Sequence, residues 1–284
     1  MTGFPGGSQA RLWLFGAPAF AFVTAFLLLP LVRLAWTVGE TRDGFATYLL
    51  VLVDARYLTT FATTLLLAAA TTAATLGICL VCGLFLERNR FRGRSVLLAV
   101  MTLPLSFPGV VVGFLVIILA GRRGLIGELS LALSGDRLVF AYSIGGLFLG
   151  YLYFSIPRVL LTIMAAAEKL DRSLEEAARS LGAGRWRVVR DVLLPGLAPA
   201  MISAGAICFA TAMGAFGTAF TLATRIDVVP MVIYTEFTLH ADVGTAAALS
   251  IFLGLITWAC LLLARSAAGT GGAAAGTATA ESTP

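Results

Sequence analysis

Charged residues are scarce in this sequence and unevenly spread. Only 12% of the 284 residues are Asp, Glu, Lys or Arg, whereas a soluble globular domain has about 25%. Six stretches contain no charged residue at all: 12–32, 57–86, 95–121, 138–157, 192–224 and 243–264. A helix needs about 20 residues to cross the hydrocarbon core of a bilayer, and each stretch provides about that many. The scarcity of charge therefore argues against a water-soluble protein.

The apolar stretches predict an all-α protein with six transmembrane helices. Backbone N–H and C=O groups cannot stay unpaired in lipid, so each stretch must be helical unless strands close into a barrel. A transmembrane β-strand needs only about ten residues of alternating character, and these runs are longer and uniformly apolar. We predict a disordered N-terminus at 1–10, a membrane domain at 11–265 and a disordered tail at 266–284, where Ala, Gly, Thr and Ser dominate.

Groups that carry catalysis or bind metals are also nearly missing. Lys169 is the only lysine and His240 the only histidine. No G-x-x-x-x-G-K-[ST] loop is present, so we do not expect the chain to hydrolyse ATP itself. Cys79 and Cys82 form a C-x-x-C, but without a second pair they are expected to be small buried side chains. We therefore predict neither an enzyme nor a cofactor or metal site.

The net charge of +5 is explained by membrane orientation rather than by nucleic acid. Cytoplasmic loops of membrane proteins are enriched in Arg and Lys. The short segment 87–94 carries four arginines, which predicts a cytoplasmic location for it and, by counting spans, for both termini. On this assignment the cytoplasmic side holds twelve basic residues and the outer side seven. The expected surroundings are membrane lipid, without nucleic acid.

Three residues are unusual for membrane helices. Pro104 and Pro108 should bend or break the third span, either as a structural kink or because the segment lines a pathway. Arg158 follows Pro157 near membrane depth, where an arginine either faces a polar interior or reaches back to the interface. Arg158, Pro104 and Pro108 are therefore candidate pathway or gate residues.

The most polar segment on the predicted cytoplasmic side, 169–195, has a pattern typical of two short helices joined at a glycine. Asp171 or Ser173 can cap the first helix, and Gly182 would end it in a left-handed conformation. Pro195 would stop the second helix before the fifth span. The segment fits either a docking surface for another subunit or an ordinary loop on lipid headgroups. One face of the first helix is apolar and consists of Leu174, Ala177, Ala178 and Leu181.

This segment resembles the EAA motif of the permease subunits of bacterial ABC importers. The resemblance covers roughly 57–265 and implies a type I ABC importer permease fold, with 57–265 as its core and 169–195 as its coupling segment. Weaker similarity elsewhere points to the branch that serves polyamine, ferric iron, phosphonate, sulfate and molybdate uptake. The matching residues are Glu176-Ala177-Ala178, Leu181-Gly182 and Val192-Leu193-Leu194-Pro195.

The resemblance implies a function and a set of partners. The chain would be a transport permease forming half of the translocation pathway in the bacterial inner membrane. Its expected partners are a dimer of ABC ATPase subunits, a second permease (identical or homologous), and a periplasmic or lipid-anchored substrate-binding protein. The residues implied to couple to the ATPase are Glu176, Ala177, Ala178, Leu181, Gly182 and Pro195.

The substrate and two other protein classes stay open at this point. A polyamine or similar small solute is the first expectation for the substrate, with ferric iron, phosphonate, sulfate or molybdate as alternatives. A secondary transporter without an ATPase, or a membrane enzyme, would also be multi-spanning. An ion-coupled transporter would be expected to carry intramembrane acids, and the six charge-free stretches contain none.

Overall fold

The computed structural model of the protein describes residues 16–41, 43–222 and 226–280. The regular secondary structure in these ranges is helical, with no strand. The predicted all-α fold with six spans is confirmed, whereas the predicted disordered segment 1–10 lies outside the described residues. Six helices are long and apolar enough to cross a membrane: Gly16–Gly39, Ala55–Arg88, Gly109–Ser134, Ile144–Glu168, Arg185–Met213 and Val243–Ser266.

We number the helices of the described ranges in chain order. They are α1 (Gly16–Gly39), α2 (Ala46–Val53), α3 (Ala55–Arg88), α4 (Arg94–Thr102), α5 (Gly109–Ala120), α6 (Leu125–Ser134), α7 (Ile144–Glu168), α8 (Arg172–Ser180), α9 (Arg185–Met213), α10 (Phe216–Leu222), α11 (Val229–Thr238) and α12 (Val243–Ala280).

The third predicted span is broken at its two prolines, as expected. Helix α4 gives way to a 3₁₀ turn, Leu103–Ser106, in which Pro104 lies near the start and is buried. Phe107 is then extended, with φ −102° and ψ 133°, and Pro108 precedes the first turn of α5. A proline lacks the N–H that would continue the helical bonding pattern, and it pushes the preceding residue toward an extended conformation.

The fifth span differs from the prediction in two places. Pro195 does not stop a helix: α9 continues through it, with a π turn, Val189–Leu193, directly before the proline. The wider turn accommodates the ring, which would clash with a carbonyl in regular α-helical bonding. The span is also not continuous to 224. Helix α9 ends at Met213, followed by Gly214, and α10 begins at Phe216.

The segments between the spans also contain helices. Within the range Gly109–Ser134, the chain leaves the helix after Ala120 and α6 begins at Leu125 as a separate helix. Helix α2 lies between the first two spans, and α11 lies before the sixth. Helix α12 extends as far as Ala280, and the disorder expected for the tail at 266–284 stays a prediction. Alanine, the commonest residue there, has the highest intrinsic helix propensity.

The described residues form two compact units, each of which is considered separately. The first combines the residues up to Leu58 with Val232–Phe252. A buried carboxylate lies within it: Glu236, 4% exposed, accepts hydrogen bonds from Arg56 Nη1 and the Tyr57 hydroxyl, both at 3.2 Å. His240 Nδ1 lies 2.7 Å from the other oxygen. His240 therefore has a structural partner that its isolated position in the sequence did not suggest.

The second unit comprises Thr59–Met231 and the residues from Leu253 onward. It has two apolar clusters built from α3, α7 and α9, and the first also draws on α5 and α10. The clusters hold the bundle together by burying apolar side chains between helices. The first includes Leu67, Val116, Leu147, Met213 and Leu222; the second includes Cys79, Leu86, Leu160, Ile163 and Cys208.

Candidate functional site

Helix α8, the first helix of the predicted coupling segment, begins at an aspartate cap. Asp171 has extended backbone angles, and its side chain accepts a 2.9 Å hydrogen bond from the Ser173 N–H. This backbone hydrogen bond favours the charged form and lowers the pKa of Asp171. Of the two caps that the sequence allowed, the structure therefore uses Asp171. The cap fixes where α8 starts.

The turn after α8 has the geometry that the glycine predicted. The Leu181 N–H donates to the Ala177 carbonyl, and the Ala183 N–H donates to the Ala178 carbonyl. Gly182 between them has φ +82°, a left-handed conformation that costs a residue with a Cβ about 1–2 kcal/mol. A Cβ at this position would meet nothing within 4 Å. Glycine is thus needed for its backbone conformation, rather than for lack of space.

The apolar face of α8 points away from its own chain. Leu174 is 54% exposed and Leu181 is 89% exposed, and Trp186 in the next helix is 74% exposed. Glu176 and Ala177 are exposed as well, and Ala178 is half-buried. We call this set of six residues the coupling surface: Leu174, Glu176, Ala177, Ala178, Leu181 and Trp186. Large apolar side chains exposed together are typical of a protein interaction site.

One residue of α8 does face its own chain, and the sequence did not single it out. Glu175, adjacent to the motif glutamate, is the only buried residue of the helix. One of its carboxylate oxygens pairs with Arg88 at the end of α3, and the other lies 3.6 Å from Arg179 Nη2. A helical projection alone could not have found this pair, because Arg88 is 87 residues away.

The breaks in two helices surround a cavity of ≈ 240 Å³. Gly109 stands at the first turn of α5, and Gly214 and Ala215 form the gap between α9 and α10. The Thr218 hydroxyl donates to the Gly109 carbonyl at 3.0 Å, which joins the two interruptions. The lining residues are Gly109, Tyr151, Phe154, Ser155, Thr211, Ala212, Gly214, Ala215, Gly217 and Thr218.

Small residues bring α5, α7 and α10 close together beside this cavity. A Cβ at Gly113 would overlap the Thr221 hydroxyl. A Cβ at Gly150 would lie 2.7 Å from Thr218 Cγ2. Gly109 and Gly113 form a G-x-x-x-G, the spacing with which membrane helices pack tightly. This motif is the sequence signal that could have located the contact.

Arg158 lies at the edge of the cavity. Its Nη1 donates to Thr211 Oγ1 at 3.0 Å, and its guanidinium carbon is 5.8 Å from the centroid of the Phe154 ring. Both partners line the cavity. Among the described residues no carboxylate forms an ion pair with Arg158. Of the three pathway candidates, Arg158 is therefore the one whose contacts reach the cavity.

The two prolines contribute to the cavity indirectly. Neither Pro104 nor Pro108 belongs to the lining, although Gly109 follows Pro108 directly. Their role as pathway residues stays a prediction.

The four cysteines are free thiols, and no group of three or more metal-ligating side chains occurs in the described part of the chain.

Comparison with known proteins agrees with this geometry. Residues 79–269 match the model of a family described as "Binding-protein-dependent transport system inner membrane component". The molybdenum transport system permease protein ModB of Escherichia coli K12 is 38% identical over 170 residues, covering 58% of this chain and 73% of the relative. The sulfate transport system permease protein CysT of the same strain is 32% identical over 205 residues, covering 72% of each chain.

Solved structures support the fold at lower sequence identity. A chain of a bacterial alginate ABC transporter, crystallised with an alginate pentasaccharide-bound periplasmic protein, superposes with a TM-score of 0.75. It is 19% identical, and the match covers 90% of this chain and 93% of that one. The fold is thus that of type I ABC importer permeases. The protein belongs to the family of inner membrane components of binding-protein-dependent ABC transport systems.

Proposed function

We propose that this chain is the permease subunit of an ATP-driven importer whose substrate is a tetrahedral oxyanion, such as molybdate or sulfate. The names of its relatives support this substrate class. The expected polyamine finds no such support. Molybdate and sulfate carry two negative charges, whereas polyamines are cations, so the two expectations require opposite charges along the path.

The observation that carries the proposal is the position of Arg158 beside the cavity. A guanidinium group has five N–H donors and stays charged under all physiological conditions, which suits it to recognise an oxyanion. Thr211 occupies one donor nitrogen of Arg158. The cavity lining contains hydroxyl and backbone groups but no carboxylate, so no negatively charged side chain there would repel a dianion.

The coupling surface supports an external ATPase as the source of energy. Leu174, Leu181 and Trp186 expose apolar area that a partner subunit would cover. Glu176 would form polar contacts with that partner, Ala177 and Ala178 would allow its close approach, and Gly182 would hold the turn. We place this surface in the cytoplasm, together with both termini, because of the arginines in 87–94. A second permease and a substrate-binding protein would complete the importer.

An uptake assay tests the proposed substrate class. The chain is co-expressed with candidate ATPase and binding-protein partners, and the complex is reconstituted in proteoliposomes. We expect ATP-dependent uptake of labelled molybdate or sulfate, and none of labelled putrescine. Arg158→Gln should reduce this uptake by at least about tenfold, the effect of ~1.4 kcal/mol, while Arg33→Gln, at an exposed ion pair, serves as the control. Uptake of putrescine alone would overturn the substrate class.

Co-purification of the ATPase tests the proposed docking site. Leu181→Asp places a charge on the coupling surface and should abolish co-purification of the ATPase. Because Leu181 is 89% exposed, the variant should insert and fold like the unchanged chain. The control is Leu239→Asp, the same change at an exposed leucine outside the six spans, which should still co-purify with the ATPase. Full recovery of the ATPase with Leu181→Asp would contradict this docking site.

A further inference from the structure

The way in which α8 is attached to its own chain is unusual. Its only buried side chain is Glu175, which is 8% exposed. An exposed apolar face and a buried carboxylate reverse the common arrangement, in which apolar residues anchor a helix to the core. A buried charge is costly unless it is paired and hydrogen-bonded. The position of α8 therefore depends on what pairs with Glu175.

Arg88 supplies that pairing from a different element. Its Nη2 donates to Glu175 Oε1, and the two side chains are only 19% and 11% exposed. Arg179 lies near the second oxygen at 3.6 Å but is 60% exposed, and it belongs to α8 itself. An ion pair within one helix cannot attach that helix to another. The Arg88–Glu175 pair is therefore the electrostatic attachment between α8 and α3.

The end of α3 is in turn fixed to the start of α4. Arg94 Nε donates to the Leu86 carbonyl at 2.7 Å, and Arg94 Nη2 lies 3.6 Å from Glu87 Oε2. Both carbonyl and carboxylate belong to the last turn of α3, next to Arg88. We call residues 86–94, which these contacts hold together, the α3–α4 corner. Glu175 is attached to it through Arg88.

This corner leads directly to the cavity. Helix α4 passes through the 3₁₀ turn Leu103–Ser106 to the break before α5, and α5 begins at Gly109. The Gly109 carbonyl accepts the Thr218 hydroxyl bond described above. The corner is therefore joined to the cavity wall by the continuous chain from Arg94 to Gly109, in which only Phe107 and Pro108 are neither helical nor 3₁₀.

We propose that Glu175 and Arg88 are positioning residues that pass movement of the coupling surface to the α3–α4 corner and so to the cavity. This inference rests on the proposed function, because it needs an ATPase that moves α8. The buried ion pair keeps α8 attached to the end of α3, so that the two move together. Neutralising Glu175 would let α8 follow the ATPase without displacing the corner. ATP hydrolysis would then continue while transport declined.

The experiment measures uptake per ATP hydrolysed in proteoliposomes that contain the whole complex, with labelled molybdate and sulfate as probes. Glu175→Gln keeps the shape of the side chain and removes its charge. We expect uptake per ATP to fall at least about tenfold, equivalent to ~1.4 kcal/mol of lost coupling, with the ATPase still bound. The exchanged pair Arg88→Glu with Glu175→Arg should restore the ratio to within about threefold of the unchanged complex, since the attraction is re-formed.

Arg179→Gln is the matched control, since it removes the other cation near the same carboxylate. It should leave uptake per ATP within about twofold, as expected for an exposed pair. An unchanged ratio in Glu175→Gln would overturn the inference and leave the proposed function intact. So would an exchanged pair that assembles with the ATPase but does not recover the ratio. Failure of the unchanged chain to bind any ATPase would instead refute the proposed function itself.

Discussion

The contact between α5 and α10 predicts a large effect of adding one methyl group. In Gly113→Ala the new Cβ would overlap Thr221 Oγ1 and lie 2.8 Å from Thr221 Cβ. Rotating Thr221 can move its hydroxyl but not its Cβ. Ordinary contact begins at 3.4 Å, so the two helices must separate by 3.4 − 2.8 = 0.6 Å. Overpacking of this kind costs about 1–3 kcal/mol in the free energy of unfolding.

The assay is SDS titration of the purified protein in mixed micelles, followed by tryptophan fluorescence. Gly77→Ala is the control, because a Cβ at Gly77 in α3 meets nothing within 4 Å. That variant should be as stable as the unchanged protein, or more stable by up to about 1 kcal/mol, since alanine favours helix over glycine.

A compensating change makes the test specific to the contact. Thr221→Gly removes both clashing atoms, and the nearest remaining atom would be the Thr218 carbonyl oxygen at 3.4 Å. In the double variant Gly113→Ala/Thr221→Gly, the two changes should therefore couple favourably by at least about 0.5 kcal/mol. If Gly113→Ala unfolds at the same SDS fraction as Gly77→Ala, the close approach of α5 and α10 is wrong.

Three further changes test other features. Gly182→Val should reduce uptake far more than Gly182→Asn, because a β-branched residue at positive φ is disfavoured and asparagine tolerates it; equal uptake would contradict a left-handed turn. Glu236→Gln should lower the free energy of unfolding by about 1–3 kcal/mol, since it weakens the buried hydrogen bond from Arg56. An unchanged SDS midpoint would argue against the contacts of Glu236 with Arg56 and Tyr57. Trp186→Ala should reduce co-purified ATPase while leaving stability within about 0.5 kcal/mol, and undiminished ATPase would exclude Trp186 from the docking site.

The sequence predicted the features that depend on local chemistry. Runs without charge located the spans, because lipid admits only apolar helices. Pro104 and Pro108 located the break in the third span, because proline lacks the N–H that helical bonding needs. The left-handed turn at Gly182 followed from helix-termination chemistry in the same way. Each of these conclusions uses interactions between residues that are close in the chain.

Features that depend on distant residues were missed or misread. The apolar residues Leu174 and Leu181 would normally predict the face that packs on the core, yet both are exposed, and the charged Glu175 is buried instead. The pairing with Arg88 decides this, and no periodicity within 169–195 contains it. Likewise Pro195 predicts the end of a helix, because the local sequence contains no signal for the π turn that precedes it.

The interruption after α9 shows a third limit. The fifth span is rich in glycine and alanine, a composition typical of helices that pack closely in membranes. The chain instead breaks at Gly214, where the Tyr151 hydroxyl donates to the Ala215 carbonyl at 2.9 Å. A buried hydroxyl from another helix can thus satisfy backbone that has left the helix. Composition alone does not show which small residues pack and which interrupt.

The π turn at Val189–Leu193 has a mechanical consequence. Because the helix is not interrupted there, Arg185–Met213 is one helix of 29 residues, which would be about 44 Å long if straight at ~1.5 Å per residue. The π turn, Pro195 and Pro199 are the positions at which it can bend. A straight helix of this length that tilts by one degree about one end shifts its other end by ~0.8 Å. A tilt of a few degrees near Trp186 would thus move Gly214 by up to about the length of a hydrogen bond. Movement at Trp186 could therefore reach Gly214 along α9 itself, in addition to the path through the α3–α4 corner.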